Sequence, residues 1–345
     1  MISSDKFLEG KRIAIVGGAG FIGHNLALRL KKKKAKPFVI DGLQVNNLGA
    51  FTCSLDLKSN NQLYLNFINS RLDLIRKSNI PLYVLDVRDY HAVSPCLNSI
   101  KPDVVIHLAA VAHANRSNKD PFSTFDHSMR TIENSLDSIK DRKPHLIFLS
   151  SSMVYGNFEK EFVDEDTICE PLGIYGALKF GAEKLVIAYN QVFKLPYTII
   201  RPSALYGERC VSRRVGQAFI ENAISGKDLS VNGDGSDKLD FTYIDDLCQG
   251  IMLCISESKA KNQIFNLTYG DARSINDLAN IIKDEFPKIK INYNPKDVLM
   301  PERGTLDISK AKKILNYKPK FSIEKGFRNY IKWYKNFSKS NSNLF

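Results

Sequence analysis

A strand-like run, Arg12–Val16, ends directly in the loop GGAGFIG, residues 17–23, and then enters a helical pattern carried by Leu26, Ala27 and Leu30. Few folds accommodate that junction. Gly17 and Gly20 let the backbone turn tightly and approach a pyrophosphate, with Phe21 and Ile22 completing the turn. Gly23 lets the helix lie close to the sheet with its amino terminus facing the anion. A glycine pattern alone also describes plain turns, so the surrounding sequence must carry the argument.

Further short apolar runs rich in β-branched residues occupy 37–40, 82–85, Val104–His107, 146–150 and 197–200, separated by longer segments of helical period. This alternation predicts an α/β fold, a doubly wound parallel sheet with helices on both faces. Between the second and third strands, residues 44–80 place Leu63, Phe67, Ile68, Leu72 and Ile75 at helical spacing, which predicts a loop and one extra helix. After Arg201 strands shorten and helices over 215–225 and 275–286 are set between polar turns, as in a smaller substrate lobe. Residues 264–267 read as a late strand returning to the main sheet. The expected division is therefore 1–202, rejoined by 240–268, against an interleaved lobe of 203–239 and 269–340, with a frayed tail at 335–345.

With 43% hydrophobic and 25% charged residues in a chain of 345, the composition is that of a globular protein. Its net charge of +12 is dispersed, and the run Lys31 to Lys34 falls where positive charge favours a helix end, so no nucleic-acid partner is expected. No apolar run spans a bilayer and no signal core precedes the first strand, which leads to the expectation of a cytoplasmic protein without a membrane partner. Six cysteines without a CxxC pair suggest reduced, mostly buried thiols and no metal.

Two carboxylates bear on the glycine loop. Asp41 ends the second strand about twenty residues further on, where an acid accepts hydrogen bonds from adenosine ribose hydroxyls and repels a 2′-phosphate, favouring NAD over NADP. Asp86, with Val87 beside it, ends the third and is placed to meet the adenine amino group. Either acid alone also suits a turn or a helix cap.

Tyr175 and Lys179 stand at i and i+4, which on a helix puts a phenol and an ammonium on one face. Beside a cofactor, the lysine charge lowers the tyrosine pKa and makes the phenol a usable general base and acid. Alone, the pair also describes an ordinary surface helix. Ser150, Ser151 and Ser152, however, end the fifth strand at the sheet edge where doubly wound folds bind ligands.

In this order, the motifs resemble the extended short-chain dehydrogenase/reductase family, in its NAD-dependent nucleotide-sugar epimerase and dehydratase branch. The resemblance covers nearly the whole chain: GGAGFIG, HLAA at 107–110, SSSMVYG at 150–156, YGALK at 175–179, RPSALYG at 201–207, NGDGSDKLDFTYIDDL from Asn232, and DISKAKKILNYKP from Asp307. It implies a Rossmann domain with NAD as cofactor and a nucleoside-diphosphate sugar as partner. Ser151, five residues before the glycine of VYG, becomes the catalytic serine, with Ser152 the alternative, and Tyr175 and Lys179 join it. Leu108, Ala109, Ala110 and Pro202 fall in the nicotinamide environment. Arg303 becomes a candidate for the nucleotide phosphates, unless it is a plain surface arginine, and His113, in a segment running to Ser117, lies near the active site of dehydratases. A homodimer through helices over 121–140 and 174–191 is also implied, though those apolar faces equally suit an internal core.

Departures from the pattern narrow the reaction. Sugar 4,6-dehydratases follow the catalytic threonine with an Asp-Glu pair; here Ser152 and Met153 stand instead. The 3,5-epimerases carry a cysteine where Met153 stands. Ala204, Leu239 and Ser128 replace an asparagine, an arginine and an asparagine of the binding pattern, and Lys238, Arg209, Arg213 or Arg214 are candidates to restore the missing charge. The reading that remains is a 4-epimerase working through a transient 4-keto sugar. A 4-keto reductase, a decarboxylase and an unusual dehydratase are alternatives of the same chemistry, and a non-catalytic NAD(H)-binding sensor is the alternative of another class.

Overall fold

The computed structural model describes residues 7–52, 61–112, 114–295 and 301–339. The expected runs form β1 (Arg12–Val16), β2 (Lys36–Asp41), β3 (Leu82–Val84), β4 (Val104–His107), β5 (His145–Leu149), β6 (Tyr197–Arg201) and β7 (Gln263–Asn266). They lie side by side in the order 7-6-5-4-1-2-3, every adjacent pair parallel. The order reverses between β1 and β4, creating the switch point where such sheets hold ligands.

The longer helices are α1 (Phe21–Lys32), α2 (Asn61–Lys77), α3 (Tyr90–Ile100), α4 (Thr131–Ile139), α5 (Gly173–Phe193), α6 (Val215–Ile224), α7 (Ile244–Ser256), α8 (Ile275–Glu285) and α9 (Ile323–Lys339). Strand side chains alternate between two cores, as the pleat requires. Ile13, Ile15 and Ile147 join Leu26, Leu30, Phe67 and Ile251 on one face, while Ala14, Val16 and Leu146 join Val93, Leu97, Leu136 and Val186 on the other. The near-continuous apolar runs of β1, β4 and β5, interrupted only at their ends by Arg12, His107 and His145, thus reflect burial on both faces.

Three boundaries differ instructively from the sequence expectation. β3 stops at Val84 because the Asp86 carboxylate accepts the Arg88 backbone N–H at 2.9 Å, a turn that ends the strand early. The helix expected over 121–140 is broken by a π turn at Asp126–Arg130, just after which Thr131 donates its hydroxyl back to the His127 carbonyl at 2.9 Å. In segment 44–80, a short helix at Leu48–Thr52 precedes the expected long one, α2.

β7 pairs with β6, Phe265 opposite Ile200, so the chain leaves the main sheet and returns to it before ending in α8 and α9. The smaller lobe is joined by the pairings Leu229–Asn232 with Ile291–Asn294 and Lys238–Asp240 with Ala272–Ser274. A capping box between Ser274 and Asp277 starts α8. α9 lays Trp333 and Phe337 on Phe67 of α2, with ring centroids 5.0 and 4.9 Å apart. Cys210, Cys248 and Cys254 are buried, Cys96 and Cys169 partly so, and these five are free. No helix among the described residues is long and apolar enough to cross a membrane.

Candidate active site

The glycine turn sits between β1 and α1. Gly17 has φ +78°, and a Cβ there would come within 2.7 Å of the Ala109 nitrogen, so the turn lies directly against the chain leaving β4. A Cβ on Gly23 would reach the Gly18 backbone at 2.5 Å, which fixes how closely α1 meets the turn. Gly20 stands just before α1; no side chain caps this helix and no acid stands in its first turn. Exposed N–H groups and an uncompensated helix dipole therefore fit the pyrophosphate of a dinucleotide.

A groove runs from this turn along Phe21, Ile22, Asp41, Val87 and Leu108 to Ala110. Asp41 is buried and held by two backbone donors, Ala19 N–H at 2.9 Å and Leu43 N–H at 2.8 Å. Burial pushes its carboxyl pKa up, against those hydrogen bonds. Asp86 also lines the groove, but Arg88 grips its carboxylate at 2.6 Å and Gln44 adds a bond at 3.1 Å. The Arg88 hydrogen bonds hold Asp86 down at about 2, so it stays ionised. Arg88 is itself shared with Asp126 at 2.9 Å. Sequence patterns do not single out Arg71, which is fully buried in the groove wall and donates to the carbonyls of Arg209 (3.0 Å) and Asn46 (3.4 Å). Burial lowers its pKa to about 10. Its signal was hidden, since it lies in the helix unique to segment 44–80.

Beyond Ala110 the groove opens into a cleft of about 1190 Å³ between the sheet edge and the smaller lobe, lined by Ser151, Ser152, Tyr175, Lys179, Pro202 and Arg303 among others. Ser151 caps a short turn, Ser152–Tyr155, its Oγ accepting the Met153 N–H at 3.2 Å. Ser152 N–H donates to the Pro202 carbonyl at 2.9 Å, tying the β5 turn to the chain leaving β6. Tyr175 and Lys179 occupy the first turns of α5, both at least nine-tenths buried. Lys179 Nζ donates to the Leu149 carbonyl at 2.6 Å, and burial lowers its pKa to about 8. One turn further, Glu183 pairs with Arg201 at 2.7 Å, almost without exposure. His107 is likewise buried, 3.1 Å from both the Ala109 carbonyl and Ser135 Oγ; burial brings its pKa to about 3, so the ring is neutral and acts as a strap on the 108–110 segment.

Arg303 lies against the Ser152 hydroxyl at 3.4 Å and the Met153 thioether. Arg213, Arg214 and Lys238 also line the cleft. Arg209 does not: it bonds Ser70 at 3.1 Å and Glu208 at 3.3 Å, and sits over the Trp333 ring. His113 lies outside the described residues.

A parallel sheet with a glycine turn at its switch point, an acid ending β2 and a roomy cleft alongside defines a dinucleotide-binding protein of Rossmann type with a second ligand site. The chain belongs to the NAD dependent epimerase/dehydratase family, whose sequence model matches residues 13–268, and NAD is its cofactor. It is 30% identical over 328 residues to a UDP-glucuronate 4-epimerase of Thermodesulfobacterium geofontis, covering 93% of this chain and 95% of that protein. It is 29% identical to YtcB of Bacillus subtilis, described as an uncharacterized UDP-glucose epimerase, over 93% of this chain and 96% of the relative. The UDP-glucuronic acid 4-epimerase of Bacillus cereus, solved with UDP-glucuronic acid and NAD, superposes with a TM-score of 0.80 at 26% identity, covering 94% of this chain and 99% of that one. DesIV, a dTDP-glucose 4,6-dehydratase of Streptomyces venezuelae, shares the fold with a TM-score of 0.84 at 22% identity, over 97% of this chain and 100% of that one.

Proposed function

We propose that this chain is a nucleotide-sugar 4-epimerase, with residues 1–202 and 240–268 holding NAD and the lobe of 203–239 and 269–340 holding a nucleoside-diphosphate sugar. Bound NAD supplies the acceptor and donor of hydride at the sugar C4. Tyr175 removes the C4 hydroxyl proton and returns it, so no proton is gained or lost over a turnover. Ser151 donates a hydrogen bond to the same oxygen. Lys179, anchored on Leu149, keeps a positive charge near Tyr175 and the cofactor ribose. Asp41 would take the adenosine ribose, Asp86 and Val87 the adenine, and Leu108 to Ala110 with Pro202 the nicotinamide side.

The observation that carries this reading is the Ser151–Ser152–Met153 turn. It offers no carboxyl group for eliminating water, and Ser152 and Met153 are instead occupied by Arg303. The 4-epimerases among the relatives support it. Exposed Phe122, Phe125 and Ile174 support a homodimer through the helices around 121–140 and α5, and the free cysteines are consistent with a reducing cytoplasm.

The NAD-loaded protein is expected to interconvert C4 epimers of uridine diphosphate sugars without net change in NAD, followed by chromatography of the sugars. Tyr175→Phe should lower turnover by roughly a thousandfold while retaining NAD. A 4-keto-6-deoxy product, consumption of added NADH, or released carbon dioxide would replace the reading by the dehydratase, reductase or decarboxylase. Undiminished function in Tyr175→Phe would point to the sensor.

A further inference from the structure

Positive charge that is dispersed along the sequence is gathered by the fold. All strands of the main sheet run parallel, so the connections entering them lie along one edge, opposite the edge that carries the glycine turn and the cleft. In sheet order from β7 to β2, these connections bring Lys261, Lys194, Lys143, Lys101, Lys11 and Lys36, one lysine for each strand. At about 4.8 Å between strands the row is about 24 Å long. Lys11 is half-buried and the other five are exposed. Two acids of the same connections are engaged: Glu9 pairs with Lys34 at 3.4 Å, and Asp103 accepts the Arg12 backbone N–H at 2.8 Å. Asp141 and Glu257 are the other two.

The helix dipole draws lysines to helix ends, which accounts for part of the row. It does not account for the backbone they adopt. Lys34, Lys101, Lys143 and Lys194 have φ of +60, +48, +53 and +60°, the left-handed conformation that glycine or asparagine takes at less cost. Asn79, just past α2 and with φ +50°, shows that cheaper choice ahead of β3, the strand beyond the row. Elsewhere along this edge a cation is kept where the backbone favours a neutral residue.

Two apolar side chains accompany the lysines. Phe7, ahead of β1, is 48% exposed with Lys11 Nζ 4.9 Å from its ring centroid, and Val192, in the last turn of α5 beside Lys194, is 70% exposed. β1 and β6 are three strand spacings apart, about 14 Å. We propose that this edge is a docking surface for an anionic phospholipid bilayer, the lysines meeting lipid phosphates and Phe7 and Val192 entering the boundary between head groups and acyl chains. No membrane span is involved. Docked this way, the protein opens its cleft away from the lipid, toward solvent. Ammonium groups fill the row in place of the guanidinium forks suited to nucleic acid, and the aliphatic Val192 offers a base no stacking face. The proposal stands apart from the 4-epimerase reading.

The test sediments the full-length NAD-loaded protein with vesicles of phosphatidylcholine alone and with vesicles containing about 30% phosphatidylglycerol, at about 0.1 and 0.5 M salt. Wild type should bind the anionic vesicles at least about thirtyfold more tightly than the neutral ones at low salt, and high salt should release it. Combined Lys101→Gln, Lys143→Gln and Lys194→Gln should weaken that binding by about thirtyfold or more. Combined Phe7→Ser and Val192→Ser should weaken it about tenfold while leaving retention on heparin unchanged. Both variants should keep bound NAD, since none of the substituted residues lines the groove or the cleft. Equal binding to both kinds of vesicle, or undiminished binding in the lysine variant, overturns the proposal. An apolar variant that binds vesicles like wild type, or a preference of wild type for duplex RNA over anionic vesicles, overturns the assignment to lipid.

Discussion

Lys179→Met measures what the protein gives up in stability to keep an ammonium at the wall of its cleft. The side chain is 7% exposed, and burial lowers its pKa from 10.5 to about 8, with Glu183 opposing the fall. At roughly 1.4 kcal/mol per pH unit, holding the charge at neutral pH costs about 3 kcal/mol. Methionine fills similar space without charge and forfeits the hydrogen bond to Leu149, worth about 1 kcal/mol. The NAD-free variant should therefore be about 2 kcal/mol more stable than wild type at pH 7, yet lack turnover. The sign of the pH dependence follows from the lowered folded-state pKa. Between pH 8 and 10.5 the unfolded lysine holds a proton that the folded one has released, so wild type gains stability as pH rises through that window. Urea titrations of both proteins at pH 7 and pH 10 read the effect, with the variant's advantage shrinking toward zero or reversing at the higher pH. A variant less stable than wild type at pH 7, or an advantage unchanged between the two pH values, would refute the reasoning.

Gly17→Ala puts a Cβ at φ +78° and within 2.7 Å of the Ala109 nitrogen. NAD affinity measured by calorimetry should fall more than about tenfold, because the turn must move off the β4 exit; an unchanged affinity would mean the turn does not set the cofactor's approach. Glu183→Gln leaves Arg201 charged and buried, with Tyr155 stacked at 4.8 Å. A loss of about 3–5 kcal/mol in urea denaturation is expected, and a loss below about 1 kcal/mol would show that the pair is dispensable.

The features legible in the sequence are those whose meaning is local. The glycine turn, the Tyr175 and Lys179 spacing and the alternation of strands each depend on a few consecutive residues, and the structure assembles them at one sheet edge. β7 was legible for the same reason, from the short stretch Ile264, Phe265 and Leu267 that follows a helix and precedes a polar turn. Arg303 was visible as a candidate but not its neighbours, because its contact with Ser152 spans 151 positions and depends on the short pairing at Thr305–Leu306. The bond between Gln44 and Asp86 was hidden likewise, since the two residues are 42 positions apart. Arg209 misled because charge in a sequence carries no direction; Ser70 and Trp333 turn it away from the cleft.

The return of β7 to the edge of the sheet has a consequence for how proteins of this design can exchange parts. Asn266, the last residue of that strand, receives the Tyr155 hydroxyl at 2.8 Å and donates to the carbonyls of Val163 (3.3 Å) and Asp307 (3.1 Å). One residue thus stitches the cofactor side, the chain after the serine turn and the segment bearing Arg303. A chimera that borrowed a new sugar specificity by replacing everything after Arg201 would also replace the strand that closes the sheet. Sugar preference in this architecture is therefore inherited together with the sheet edge, and single substitutions in the cleft, more than exchange of whole lobes, are the accessible route to a new substrate.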